Sequence, residues 1–317
     1  KNEITQLIRQ KNKYEFNKDL INKIQNNEFK ENHFLEMGTN AIQKTSINSI
    51  RDNKKFEINS VELLYSLPLN SFTLITDDKD NIYVSSASTG DIFVLSRKDI
   101  KVHANTKGRP LGIAFSKKNS SLIVADATRK AILRISLGNG SISQICNQYD
   151  DMDLNGPSDL IITDNDEIIF TDPIRNPFPN PCISPVYKLL KNNKPELFLA
   201  DLAFPSGIAN LENKILISET RANRLVMMEN LDSEENIEPQ MLRRFADPGS
   251  PDGITVDEDG NIYQTLPGIG AIAVINNEGE MTEIYHMESW KPSNIHYHKH
   301  KFYVTDRLGS RIFRFSK

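Results

Sequence analysis

At five places the chain sets a proline before a single variable residue and then runs into a hydrophobic stretch, and that variable residue is the first candidate for chemistry. The residues concerned are Leu111, Ser158, Ser206, Asp252 and Ser293, and an earlier copy without the proline offers Ser71 or Phe72 instead. If the repeats bring these positions together, the resulting ring of short polar side chains can hold a metal ion or the oxygens of a substrate. Small polar residues after proline are also ordinary turn formers. Asp252 differs, because a carboxylate aimed into a narrow opening needs a cation, a partner or a proton. Arg109, just ahead of one motif proline, suits an anionic or carbonyl substrate. His296, His298 and His300 alternate and in a strand would share one face. His300 falls where other copies turn, which places it in solvent. His296 either approaches the channel as a general base or packs between repeats. Cys182 is a conceivable nucleophile, but no histidine stands at a recognisable spacing to activate it.

Positioning such a ring falls to a repeat. The motif prolines at 110, 157, 205, 251 and 292 are 47, 48, 46 and 41 residues apart, the period of a four-stranded propeller blade. GSPDGITVDEDGNIY (249–263) shows the unit, two β runs joined by an Asp-Gly turn. Third strands follow in each copy (GDIFVL, RKAILRIS, SPVYKLL, NRLVMM, GAIAVI, SRIFRF), and fourth strands such as ISQIC and PELFLA follow the first five. The sixth copy runs out at Lys317, and FEINSVELLYSL (56–67) has the length and alternation to supply its outer strand. The expectation is an all-β, six-bladed β-propeller over 56–317, closed by its own N-terminal strand. Between the second and third strands of blade three, TDPIRNPFPNPCISPVY (171–187) reads as a stiff lid carrying Phe178, Cys182 and Tyr187. Asp126, Asp172, Glu219 and Asp306 end second strands and are followed by Arg129, Arg175, Arg221 and Arg307, a pattern that predicts ion-pair ties between neighbouring blades.

Residues 1–55 read differently. Ile4, Leu7 and Ile8, then Leu20, Ile21 and Ile24, recur at helical spacing, so an α-helical extension is expected there, padding the propeller, capping its mouth or serving as a dimerisation or partner arm. The first 60 residues carry a net charge of +3 and the remainder −7, so the two parts attract. The overall net charge of −4 argues against a nucleic-acid surface, and no apolar run reaches the ~18 residues of a membrane span. Two cysteines, Cys146 and Cys182, are expected as free thiols in a reducing, cytoplasmic setting.

These motifs resemble those of the SMP-30/gluconolactonase/luciferin-regenerating family. PSD-L with FTDP and PDG-I before D-x-DG-N-Y fall in that family's order, the match covering about residues 60–317, and GRPLGIAF with VADA and PSGIAN with ISET are more similar to strictosidine-synthase-like relatives of the same superfamily. The resemblance implies a divalent ion, calcium or zinc, held at the channel mouth by a Glu, two Asn and an Asp. Carried over, the Asp is Asp252, the Asn positions fall on Ser158 and Ser206, and the Glu falls on or beside Phe72; Asn155 and Asp159 flank the third-blade position and are available to compensate. A metal set of Asp252, Ser206 and Asn155 is therefore short of charge for a hard cation. The catalytic glutamate of strictosidine synthases has no counterpart in Lys291-Pro292-Ser293-Asn294; Glu288 lies ahead of it. The expected function is small-molecule chemistry, foremost hydrolysis of a lactone or related ester. A cation on Asp252 would polarise the carbonyl; without one, Asp252 or His296 acts as base and Arg109 as stabiliser. Phe72, Ser158, Asp159, Ser206, Ser293 and Asn294, with the lid residues, would contact substrate. A metal-independent cyclase, isomerase or lyase of specialised metabolism, and a non-catalytic binding propeller, stand as alternatives.

Overall fold

The computed structural model describes residues 62–66, 71–96, 99–175, 183–228, 238–287, 290–307 and 311–316. The expected N-terminal helices, and Phe178 and Cys182 of the lid, lie outside the described residues. Six four-stranded antiparallel sheets form the blades of an all-β propeller. Their inner strands are Ser71–Thr76, Pro110–Ser116, Leu160–Ile162, Pro205–Leu211, Ile254–Val256 and Pro292–His298. Glu62–Ser66 pairs antiparallel with Arg311–Ser316 on the outer edge of the sixth sheet. Helix among the described residues is confined to one short turn, Thr220–Ala222.

Hairpin chemistry explains the inner turns. In the first blade Asp77 accepts the N–H groups of Lys79 and Asn81 at 2.9 and 2.8 Å, and in the fifth Asp257 accepts those of Asp259 and Asn261 at 3.0 and 2.9 Å. Each carboxylate thereby fixes the loop that sends the chain back as the second strand.

Apolar alternation buries a layer at every blade junction, including the junction of blade six with blade one, where Leu74, Val84 and Phe93 meet Tyr303 and Ile312. Tyr187, expected in the lid, sits instead in the third strand of blade three, 7% exposed, with its ring 4.9 Å from Tyr149 and 5.5 Å from Phe170. It is core. The strand begins at Ser184, so the alternation of SPVYKL rather than the prolines ahead of it decides where Tyr187 points.

A row of hydroxyls then joins blade to blade. Ser85 donates to the Leu111 carbonyl at 2.9 Å, Thr171 to Ser206 at 2.8 Å, Thr265 to Ser293 at 3.2 Å and Thr305 to Phe72 at 2.9 Å. Each donor stands near the end of a second strand, and each acceptor is the variable motif residue of the next blade.

The strand-end acids do something other than expected. Asp126 accepts the N–H of Arg109, Asp172 those of Asn155 and Gly156, Glu219 that of Ala203 and Asp306 that of Lys291, so each fastens the loop entering its own blade. The ion pairs of Glu219 and Asp306 are with Arg224 and Arg311, which face them across the ladder. Cross-strand neighbours are closer partners for Glu219 and Asp306 than the arginines of the following loop.

Candidate active site at the propeller axis

The Pro-x-Gly motif makes the axis narrow. A Cβ on Gly112 would stand 2.6 Å from the Asp159 Cα, one on Gly207 2.1 Å from the Asp252 carbonyl oxygen, and one on Gly253 2.5 Å from the Asn294 Cα. Inner strands therefore approach more closely there than any side chain allows. In four blades the register between inner and second strands also shifts at the motif, as between Pro110 and Ile113 or Pro205 and Ile208. Such irregularities re-aim side chains.

As a result the serines and the carboxylates part company. Ser206 and Ser293 are buried, with the Ser206 hydroxyl 2.7 Å from that of Thr220 and the Ser293 hydroxyl 3.0 Å from that of Thr305. Both knit the ring together. Ser158 is buried as well, its N–H on the Thr171 carbonyl. Asp252 keeps its carboxylate 13% exposed and pairs it with the Arg307 guanidinium at 2.6 Å. Arg307 in turn lies 5.0 Å over the Phe72 ring. Burial pushes the Asp252 carboxyl above its ordinary value, with Arg307, Ser206 and Arg175 opposing the rise.

One residue further along the motifs stand Thr73, Asp159 and Asn294, which line a central cavity of about 520 Å³. Asp159 accepts the Leu160 N–H at 3.0 Å, and burial, reinforced by the charge of Asp252, lifts its carboxyl to about 7. The Thr73 hydroxyl, in a residue 4% exposed, has no hydrogen-bond partner among the described residues. Burial thus raises both carboxyls of the axis, but one stands against a guanidinium and the other has no cationic partner among the described residues.

His296 lines the same cavity, yet it is three residues beyond Ser293, roughly 10 Å along the strand. The structure does not bring it to Asp252. Its Nε2 is 2.9 Å from the Thr76 hydroxyl, and burial, with the nearby His298, lowers its pKa to about 3, leaving it neutral. His298 pairs with Asp80 at 2.7 Å, and His300 is exposed as expected. Asn155 is held on Asp172, its amide nitrogen 2.9 Å from the carboxylate.

Sequence reasoning gave Arg175 and Arg307 only a structural role, as ties between blades, and passed over Phe204. The Arg175 guanidinium donates to the carbonyls of Gly156 and Pro173 and lies 5.6 Å from the Phe204 ring, which Arg221 approaches to 5.9 Å. Burial, then the charge of Arg109, lowers the Arg175 pKa to about 10. The signal was present in the arginines that follow the strand-end acids.

Residues 73–313 match the family model described as SMP-30/Gluconolactonase/LRE-like region. Over 175 residues the chain is 26% identical to a gluconolactonase of Zymomonas mobilis, a stretch covering 50% of this chain and 49% of that one. It spans about half the length of this curated relative. A solved gluconolactonase structure from Xanthomonas campestris superposes with a TM-score of 0.71 at 19% identity, covering 86% of this chain and 93% of that one. A calcium-binding protein, regucalcin, from Agrobacterium tumefaciens superposes with a TM-score of 0.69 at 14% identity, covering 81% and 93%. At such identities the likeness of structures establishes the fold alone.

The residues at the axis end do not suit the divalent ion that such relatives imply. Asp252 is the carboxylate of the expected set and it faces a guanidinium; the Ser206 hydroxyl is engaged with Thr220, the Asn155 amide with Asp172, and Phe72 has no side-chain oxygen. A hard cation needs several oxygen ligands and repels a guanidinium in the same place.

Proposed function

The chain belongs to the SMP-30/gluconolactonase/LRE-like family, and from that membership we propose that it hydrolyses the lactone or ester bond of a small molecule bound at the proline end of the propeller axis. What carries this reading is the pair of axial carboxyls in different environments, Asp252 against Arg307 and Asp159 lifted to about 7. Burial raises both carboxyls, but only Asp252 has a guanidinium against it, and that difference in partner assigns the base to Asp252 and the acid to Asp159. Asp252, paired with Arg307, removes a proton from water as the water oxygen attacks the ester carbonyl. Negative charge then grows on the carbonyl oxygen, and the guanidinium of Arg307, beside Asp252, stabilises it. When the C–O bond breaks, protonated Asp159 supplies the leaving alkoxide with its proton. The products are a hydroxyl and a carboxylic acid, and no divalent ion is required in any step.

An isomerase, cyclase or lyase would use the same base and acid without the attacking water. The Arg307–Asp252 pair, standing where a metal was expected, favours keeping that second reading. Assaying a panel of lactones and aryl esters with wild type and Asp252→Ala tests the first. Hydrolysis by wild type and a loss of at least about 100-fold in the variant, with unfolding unchanged, is the expected result. Turnover within a few-fold of wild type removes Asp252 from the mechanism.

A further inference from the structure

Phe204 and Phe72 mark an arrangement that lactone hydrolysis alone does not call for. Phe204 has two guanidiniums near its ring, those of Arg175 and Arg221, and Phe72 carries that of Arg307. Arg109 enters from the loop ahead of blade two, exposed, near enough for its charge to bear on Arg175. Four blades therefore contribute arginine to one end of the axis. Asp252 pairs with Arg307, while Asp126, Asp172, Glu219 and Asp306 accept the N–H groups of the entering loops, and Asp172 also bears on Arg175 by its charge. Like charges gathered on aromatic shelves repel one another unless an anion joins them, and aromatic faces hold guanidiniums with their N–H edges free to fork onto oxygens. This concentration of positive charge sits on a chain whose net charge is −4.

We propose that the arginines at the proline end of the axis recognise an anionic oxygen group on the substrate, a carboxylate or a phosphate remote from the bond that is cleaved. The inference rests on the hydrolase reading for the cleaved bond, but not for the anion. Arg175, fixed by the carbonyls of Gly156 and Pro173, supplies the rigid side of the clamp, and exposed Arg109 supplies the adjustable side. Arg307 stays on Asp252, at the reacting end. The substrate class that follows is an acid-bearing lactone or ester, with the anionic group two arginines wide and the carbonyl directed toward Asp252.

Two measurements test it. Titration calorimetry at low salt with gluconate, inorganic phosphate and neutral glucitol reads the clamp without any turnover. Saturable binding of one or both anions, none of glucitol, and a loss of about tenfold or more in Arg109→Gln and Arg175→Gln is expected; which anion binds distinguishes carboxylate from phosphate. Arg109→Gln, at an exposed position, keeps the test valid if the Arg175 variant fails to fold. Steady-state kinetics then compare glucono-1,5-lactone with the carboxylate-bearing glucaro-1,4-lactone. Wild type should favour the charged lactone, and Arg109→Gln should lose that preference through KM. Anion binding without hydrolysis of either lactone would sustain the clamp and sink the hydrolase reading. Hydrolysis of both lactones at equal efficiency, with no anion binding, would overturn the clamp and leave the hydrolase reading standing.

Discussion

Replacing Asp159 by Asn tests the electrostatics of the axis without a substrate. The carboxyl moves from an ordinary value of 3.8 to about 7 on folding, through burial and then the charge of Asp252. A raised carboxyl means that the folded protein holds its proton over a pH range in which the unfolded chain has released it. Stability is then full below pH 3.8, declines as pH rises, and has lost its whole share once pH passes the folded value near 7. At about 1.4 kcal/mol per pH unit the share is at most about 4 kcal/mol, and partial solvent access reduces it to about 2–4 kcal/mol. The amide oxygen of the variant can still accept the Leu160 N–H that Asp159 accepts at 3.0 Å, and it has no proton to lose. Urea unfolding of wild type and Asp159→Asn, followed through Trp290, gives the difference between them from pH 4 to pH 8. That difference should swing toward the variant by about 2–4 kcal/mol, roughly 4–8 °C in Tm for a chain of this length. The swing should level off near pH 7. A difference that stays flat, or an equal loss at every pH, would show that Asp159 is ionised throughout and refute the acid role assigned to it.

Three further outcomes are expected. Gly207→Ala would drive a Cβ to 2.1 Å from the Asp252 carbonyl and should lose at least about 2–3 kcal/mol, while Gly138→Ala, whose Cβ meets only the Ser136 hydroxyl at 3.7 Å, should be near neutral by thermal unfolding. A chain beginning at residue 51 keeps Glu62–Ser66 against Arg311–Ser316 and should unfold cooperatively; one beginning at residue 69 leaves that strand edge unpaired and should aggregate, as light scattering would report. Chelator dialysis or millimolar calcium should move Tm by less than about 1 °C, because ligand stabilisation grows only with the ratio of concentration to Kd; a larger shift would reveal donors other than Asp252, Ser206 and Asn155.

The blades were legible because their signals are local. Period-two alternation and Asp-Gly turns lie within a few residues of each other, and Asp77 and Asp257 act on N–H groups two and four positions away. Asp252 stands out in the sequence for a related reason, as a charged residue in a repeat position where others are small. What escaped depends on neighbours that the repeat does not encode. Thr171 and Thr305 gain their meaning only when the next blade presents the Ser206 and Phe72 carbonyls, 35 and 233 residues away along the chain. Tyr187 reads both as the end of the proline-rich run and as part of the strand SPVYKLL, and the strand, which begins at Ser184, decides where it points. The serines looked like ligands because residue type says nothing of whether a hydroxyl turns to the axis or to the next blade.

Phe72 and Arg307 are best understood as one change rather than two. The resemblance places a glutamate at or beside Phe72, and a glutamate there would have added the second charge that a hard cation demands. Phenylalanine withholds that charge, and its ring also provides the face on which Arg307 lies at 5.0 Å while reaching Asp252 at 2.6 Å. An arginine in solvent would gain little from an aspartate across the axis, since exposed ion pairs contribute about 0–1 kcal/mol. Set on an aromatic shelf and against a carboxylate only 13% exposed, it becomes a fixed positive charge beside the residue assigned as base. The loss of one ligand and the gain of one tethered cation thus leave the local charge balance of the axis much as a bound ion would have made it. The difference is that a guanidinium cannot lower the pKa of a coordinated water, so the proposed mechanism gives activation of the nucleophile to Asp252, whose carboxyl burial raises above its ordinary value.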